Sequence, residues 1–101
     1  MRATGKSASG TSFHNDTIKA SVSDLRKILG VPEFSNNDGR DKVNFEWVME
    51  TEQGEVFTVY DWKEYRRLTE NEIVEWHVGS KNGIVTAKAV NEMTTAFNNI
   101  F

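Results

Sequence analysis

A strictly alternating segment in the middle of the chain constrains the fold more than any other feature of the sequence. In residues 43–49, the odd positions hold large apolar residues, and the even positions hold polar residues except for Val48. This period of two is typical of a β-strand with one buried face. Gln53 and Gly54 then favour a turn, and residues 56–62 are predicted to return as an antiparallel partner.

The length of that turn decides which side chains share a sheet face. A two-residue turn places Tyr60 opposite Trp47, whereas a three-residue turn with a glycine bulge places Val59 there. The two registers exchange the faces of Tyr60 and Val59. The sequence alone leaves both registers open.

An edge strand and a capped helix are predicted before this hairpin. Residues 13–20 have the composition of a short strand. Ser21 or Ser23 can cap the helix that follows, and Gly30 ends it, with Pro32 preventing its continuation. The apolar stripe of this helix consists of Leu25, Ile28 and Leu29. Residues 33–42 show no periodicity and are predicted to form a loop.

A third strand at residues 73–78 and a helix from about Ile84 are predicted after the hairpin. The pattern therefore indicates an α+β fold, a small antiparallel sheet of three to four strands with two helices packed on one face. The second helix is too broadly apolar for one narrow seam, so we expect a homo-oligomer formed through this C-terminal helix. Its apolar residues are Ala87, Ala89, Val90, Met93, Ala96, Phe97, Ile100 and Phe101.

Composition narrows the classes of function. Residues 1–12 lack large apolar side chains after Met1 and are predicted to form a flexible N-terminal arm. Residues 13–101 have the length of a single domain. The chain has no cysteine, which excludes disulfides and a Cys nucleophile. No apolar run approaches the roughly 18 residues of a membrane span, and a net charge of −3 argues against general nucleic-acid binding.

Motifs for catalysis and for cofactor binding are absent from the sequence. It contains no nucleophile elbow, no metalloprotease motif, no dinucleotide-binding glycine pattern and no metal-ligand spacing. We therefore expect a protein that is not an enzyme, without catalytic residues, cofactor or metal.

The candidate ligand site is an aromatic and basic cluster at the end of the second hairpin strand. Trp47 and Trp76 alternate with apolar residues and are expected in the core. Trp62 ends its strand beside Lys63. The sequence does not decide whether Trp62 lies in the core or in a ligand-binding site. An aromatic ring next to cations can stack on a planar ring while the cations hold an anion. The predicted ligand-binding residues are Trp62, Tyr60, Lys63, Arg66, His77, Thr11 and Ser12.

Five short motifs follow one another along roughly residues 10–90. They are Gly10-Thr11-Ser12, Gly30-Val31-Pro32, Glu46-Trp47, Tyr60-Asp61-Trp62-Lys63 and Trp76-His77-Val78-Gly79. In this order they resemble a group of small, mostly uncharacterised proteins of tailed bacteriophages. The resemblance implies an accessory phage protein in the host-cell cytoplasm. Such proteins often inhibit host defence by sequestering a nucleotide signal, by binding a defence protein or by imitating DNA.

Sequestration of a nucleotide-like small molecule agrees best with the candidate residues. Trp62 or Tyr60, whichever faces outward, would stack on the base. Lys63 and Arg66 would hold phosphate. Hydrogen bonds to the ligand would come from His77, Thr11 and Ser12. The alternative is an inhibitor that binds a host defence protein directly, through the acidic segment at residues 46–75 and the apolar terminal helix. Residues 46–75 hold nine acidic and three basic residues. Imitation of DNA requires a denser array of acidic groups, so it ranks third among these hypotheses.

Overall fold

The structure, a computed structural model, describes residues 1–100. Phe101, predicted as part of the apolar stripe of the terminal helix, lies outside the described residues. The elements in chain order are β1 (Arg2–Ala3), β2 (Ser12–Ala20), α1 (Val22–Leu29), β3 (Phe34–Ser35), β4 (Phe45–Glu50), β5 (Val56–Asp61), β6 (Val74–Ser80) and α2 (Gly83–Ile100).

The strands form one antiparallel sheet in the order β1-β4-β5-β6-β2, with β3 also paired to β4. The α+β class with two helices and an antiparallel sheet is confirmed. The predicted number of strands is wrong, because the described residues form six strands. Strands β1 and β3 have two residues each, too short to leave a periodic signal, and both pair with β4. They protect backbone groups of β4 that would otherwise form an open sheet edge.

The predicted N-terminal arm lies on the sheet over its first residues. Arg2 pairs with Glu50 and Ala3 with Met49 in the β1–β4 ladder. Thr4 Oγ1 donates a hydrogen bond of 2.7 Å to the Glu50 carboxylate, which also forms ion pairs with Arg2 and Lys6. These contacts join residues more than 40 positions apart, so the local composition of the arm could not indicate them.

The hairpin has the register that requires the longer turn. Trp47 lies opposite Val59, and Glu46 lies opposite Tyr60. Gly54 has a φ of +81°, which glycine adopts readily, and its N–H donates to the Thr51 carbonyl at 2.9 Å. The three-residue alternative is therefore confirmed, and it places Tyr60 on the sheet face away from Trp47.

The face that carries Trp47 is the core face of the sheet. Trp47 and Trp76 are fully buried there, as predicted, and their rings meet edge to face with centroids 5.6 Å apart. Each indole N–H donates at 2.9 Å to a backbone carbonyl, that of Gly30 for Trp47 and that of Ala20 for Trp76. The same apolar cluster includes side chains of both helices, namely Val22, Leu25, Leu29, Ala89 and Met93.

Helix α1 begins and ends as its sequence predicts. Ser21 is the N-cap, its hydroxyl accepts from the Asp24 N–H, and Asp24 completes the capping box. Gly30, with a φ of +84°, donates its N–H to the Arg26 carbonyl and ends the helix. Leu25 and Leu29 of the predicted stripe are buried.

Helix α2 contacts β2, β5 and β6 as well as α1. Its first turn is capped by Asn82, whose Oδ1 accepts from the Val85 N–H at 3.0 Å. Ile84 and Ile100, at opposite ends of the helix, are 72% and 47% exposed. Among residues 1–100, neither helix is long and apolar enough to cross a membrane.

Candidate functional site

Four aromatic rings lie together on the sheet face opposite the core. Tyr60 of β5 is paired with His77 of β6, and their ring centroids are 5.5 Å apart. Phe13 of β2 stacks on His77 at 3.9 Å with an interplanar angle of 16°. Trp62 is 6.1 Å from Tyr60 and 6.2 Å from His77. We call Phe13, Tyr60, Trp62 and His77 the aromatic cluster, and their sheet face the aromatic face.

A cleft of about 360 Å³ opens beside this cluster. Its walls come from the sheet and from the segment before β2, and they include Glu46, Thr58, Tyr60, Trp62, Thr11 and Ser12. Within residues 1–100, two other clefts of about 560 Å³ are larger, but no aromatic side chain lines either of them. The aromatic cleft is therefore the one whose walls suit a planar ligand.

Trp62 lies at the mouth of this cleft with two lysines against its ring. It is 40% exposed, so the structure places it at the surface rather than in the core. Lys63 Nζ is 5.5 Å and Lys42 Nζ 5.8 Å from the ring centroid. The Lys63 N–H donates to the Lys42 carbonyl at 2.8 Å, which brings the two lysines to one place. Lys42 is absent from the predicted set because this contact joins two loops.

The turn after Trp62 has a strained backbone. Lys63 and Tyr65 have φ values of +57° and +50°, in the left-handed region that side chains other than glycine seldom adopt. Strain of this kind persists where the surrounding contacts hold it, and it clusters at ligand sites. The strained turn agrees with a binding role for the end of β5.

Arg66 is the predicted site residue that the structure places elsewhere. Its guanidinium donates at 2.7 Å to Glu72 and lies 3.9 Å from Glu64. Glu72 also accepts from the Thr69 N–H, so this loop closes on itself. Within residues 1–100, no ring contact or cleft wall of the site involves Arg66, whose charge is already paired. The sequence could show Arg66 near Trp62 along the chain but not the direction of its side chain.

Thr11 and Ser12 contribute two hydroxyl groups to the wall of the cleft. The Thr11 hydroxyl donates to the Ala8 carbonyl at 2.7 Å, and Ser12 Oγ lies 3.4 Å from His14 Nε2. Both line the cleft, as does Tyr60. The structure thus brings Thr11, Ser12, Tyr60, Trp62, Lys63 and His77 of the predicted set into one region.

His77 contributes a ring rather than a charge. It is stacked against Phe13, and burial lowers its pKa, although the Glu75 carboxylate acts in the opposite direction. Neutral imidazole is therefore the main form at pH 7. Phe13, which lies outside the predicted set of site residues, supports His77 from the edge strand β2.

Glu46 is the acidic group of the cleft and lies outside the predicted set of ligand-binding residues. It is half-buried opposite Tyr60 and receives no hydrogen bond or ion pair from residues 1–100. Burial raises the pKa of Glu46, and repulsion by Glu33 raises it further. The same burial, with the charge of Glu46, raises the pKa of Tyr60.

Gly79 allows β2 to approach the aromatic face. A Cβ at Gly79 would lie 2.8 Å from Thr58 Oγ1 and 3.2 Å from the Ser12 carbonyl oxygen. We expect Gly79→Ala to lower the free energy of unfolding by about 1–3 kcal/mol in urea denaturation. Gly83→Ala is the matched control, because a Cβ there meets nothing within 4 Å. Equal stability of the two variants would contradict the close approach.

Glu50 holds the chain segment that leads to the cleft wall. The hydrogen bond from Thr4 lowers the pKa of Glu50, partial burial opposes this, and the charges of Arg2 and Lys6 lower it further. Since the folded pKa is lowered, the ionised carboxylate stabilises the attachment at neutral pH. This contribution is lost as the pH falls through the lowered pKa.

Glu50→Gln is therefore expected to release this segment at neutral pH. The measurement is limited trypsin cleavage after Lys6, which should become several-fold faster than in the unchanged protein. Glu52→Gln, at an exposed carboxylate of the following turn, should leave the rate unaltered. An unaltered rate in Glu50→Gln would show that backbone pairing alone holds the segment.

Comparisons with known proteins do not indicate a function for this chain. No protein-family model, curated protein or solved structure matches the chain. Within residues 1–100, no three His, Cys, Asp or Glu side chains are grouped so that they could hold a metal ion. What this protein does is accordingly inferred from the aromatic cleft and the residues around it.

Proposed function

We propose that this protein binds a small nucleotide-like ligand in the aromatic cleft and sequesters it without chemical conversion. One observation carries the proposal: an exposed Trp62 ring, in contact with two lysines, stands at the mouth of a cleft of about 360 Å³. Aromatic rings bind bases by stacking, and lysines bind phosphate. The volume is within the range of small-molecule sites.

The base would stack on Trp62, with its edge directed into the cleft. Lys42 and Lys63 now lie over the Trp62 ring, so a stacked base displaces one of them. The displaced lysine remains close enough to bind the phosphate of the same ligand. The hydroxyls of Thr11 and Ser12, which also line the cleft, offer further hydrogen bonds.

The arrangement of the helices supports a ligand on the aromatic face. We infer that α1 and α2 both cover the core face, because their buried side chains join the same apolar cluster as Trp47 and Trp76. Ligand would then have access to the other face. The exposed Ile84 and Ile100 support a homo-oligomer through α2.

The resemblance to small bacteriophage proteins supports a biological setting for this activity. A phage protein in the host-cell cytoplasm that removes a nucleotide signal would inhibit a host defence that depends on the signal. Sequestration requires tight binding and no turnover, which agrees with a site built from rings, lysines and hydroxyls.

The proposal is tested by thermal unfolding in the presence of mononucleotides and cyclic nucleotides. A ligand at 100 times its Kd stabilises the folded protein by about 2.7 kcal/mol, enough to raise the Tm by several degrees. We expect such a shift with at least one nucleotide, which chromatography should then recover unchanged. No shift with any nucleotide would overturn the proposal, and stoichiometric capture of one host defence protein would then favour the protein-binding alternative.

A further inference from the structure

The unpartnered carboxylate of Glu46 places a specific demand on the ligand. It lines the aromatic cleft, half-buried, and no donor or cation among residues 1–100 reaches it. An ionised carboxylate only accepts hydrogen bonds, and one that is partly removed from water is unfavourable without donors. A ligand that fills the cleft without N–H or O–H groups at this point would leave the carboxylate still less solvated.

The register of the sheet fixes where those donors must be. Glu46 is directly opposite Tyr60, and Trp62, two residues after Tyr60, lines the same cleft. Directly opposed side chains have Cβ atoms about 5 Å apart, and diagonal neighbours about 7–8 Å. A planar base stacked on Trp62 and directed into the cleft would then present one edge to the Glu46 carboxylate.

The charges around the cleft decide between the ligands that could supply donors. A cationic ligand would satisfy Glu46, but Lys42 and Lys63 at the Trp62 ring would repel it. A ligand with an anionic group near the lysines and a neutral donor edge near Glu46 satisfies both ends. A nucleotide whose base presents two adjacent N–H groups has this distribution.

We propose that Glu46 selects the base and that the ligand is a guanine nucleotide, an inference that rests on the proposed function. The N1–H and the 2-amino group of guanine lie side by side and match the two oxygens of a carboxylate in a bidentate pair. Adenine and cytosine present a ring-nitrogen lone pair next to their amino group, which the carboxylate repels. Uracil presents one N–H between two carbonyl oxygens.

The test compares GMP, IMP and AMP by calorimetric titration of the full chain and of two variants. Glu46→Gln removes the charge and replaces one acceptor by a donor. Glu52→Gln is the matched control, because Glu52 is exposed in the turn after β4 and does not line the cleft. Unfolding curves of both variants establish that they are folded before the titrations are compared.

We expect GMP to bind at least tenfold more tightly than AMP, with IMP between them because it lacks the 2-amino group. Because hydrogen bonds to a charged group are stronger than neutral ones, we expect Glu46→Gln to weaken GMP binding by roughly 10–100-fold. The same variant should change AMP binding little. Equal binding of GMP and AMP, or equal loss of both in Glu46→Gln, would overturn base selection and leave nucleotide binding intact. Absence of binding by all three together with the wider nucleotide panel would overturn both proposals.

Discussion

Replacing Trp62 with alanine is expected to weaken nucleotide binding by roughly 10–100-fold, because stacking on an aromatic ring contributes about 1–3 kcal/mol per base. The free energy of unfolding should fall by no more than about 1 kcal/mol. Trp62 is 40% exposed, and its aromatic and cationic partners within residues 1–100 are the edge-on Tyr60, the tilted His77 and the two lysines. The effect on binding should thus exceed the effect on stability.

Calorimetric titration and urea denaturation of the same preparations measure the two effects. Tyr65→Ala is the matched control, since Tyr65 is an aromatic residue of the same turn, is 53% exposed and has no ring contact with the aromatic cluster. It should bind nucleotide as the unchanged protein does. Unchanged affinity in Trp62→Ala would mean that Trp62 does not stack on the ligand.

Replacing Asp61 with alanine is expected to lower the free energy of unfolding by about 3–5 kcal/mol. The Asp61 side chain is 1% exposed and accepts hydrogen bonds from the backbone N–H groups of Asn44 and Phe45, at 2.9–3.1 Å. Alanine would leave two buried N–H groups without an acceptor, at about 1–3 kcal/mol each, and would also leave a cavity. This carboxylate joins the start of β4 to the end of β5, next to Trp62.

Urea denaturation tests this prediction against two variants. Asp61→Asn retains one carbonyl oxygen as an acceptor and should lose less stability than Asp61→Ala. Asp41→Ala removes an exposed carboxylate and should remain within about 0.5 kcal/mol of the unchanged protein. If Asp61→Ala were as stable as Asp41→Ala, the hydrogen bonds to Asn44 and Phe45 would not hold the strand ends together.

Local patterns were sufficient to predict the parts of the fold that local physics determines. Alternation identified Trp47 and Trp76 as core residues, and the capping residues of α1 identified its ends. Local patterns could not predict the register of the hairpin, because turns of two and of three residues both suit the sequence around Gly54. Only the completed sheet distinguishes them, by the burial that each register gives to Val59 and Tyr60. Strands of two residues carry no period at all, so β1 and β3 were not predictable.

The candidate site shows the same division between local and distant information. Trp62 and His77 could be grouped as residues at strand ends, but whether Tyr60 or Val59 faces outward with them depends on the hairpin register. Arg66 was assigned to the site from its position in the chain, but its ion pair with Glu72 depends on how a loop closes. The contributions of three further residues, Phe13, Lys42 and Glu46, depend on contacts between separate segments.

Occupation of the aromatic cleft by a nucleotide is tested most directly through the three tryptophan indole N–H signals in NMR spectra. Trp47 and Trp76 are buried and donate to the carbonyls of Gly30 and Ala20, whereas Trp62 stands at the cleft. Titration of ¹⁵N-labelled protein with the nucleotide that raises its Tm should move the Trp62 signal in proportion to occupancy. The signals of the other two should move little. A bound nucleotide that leaves the Trp62 signal in place, or that moves only signals of α2, would contradict binding in the aromatic cleft.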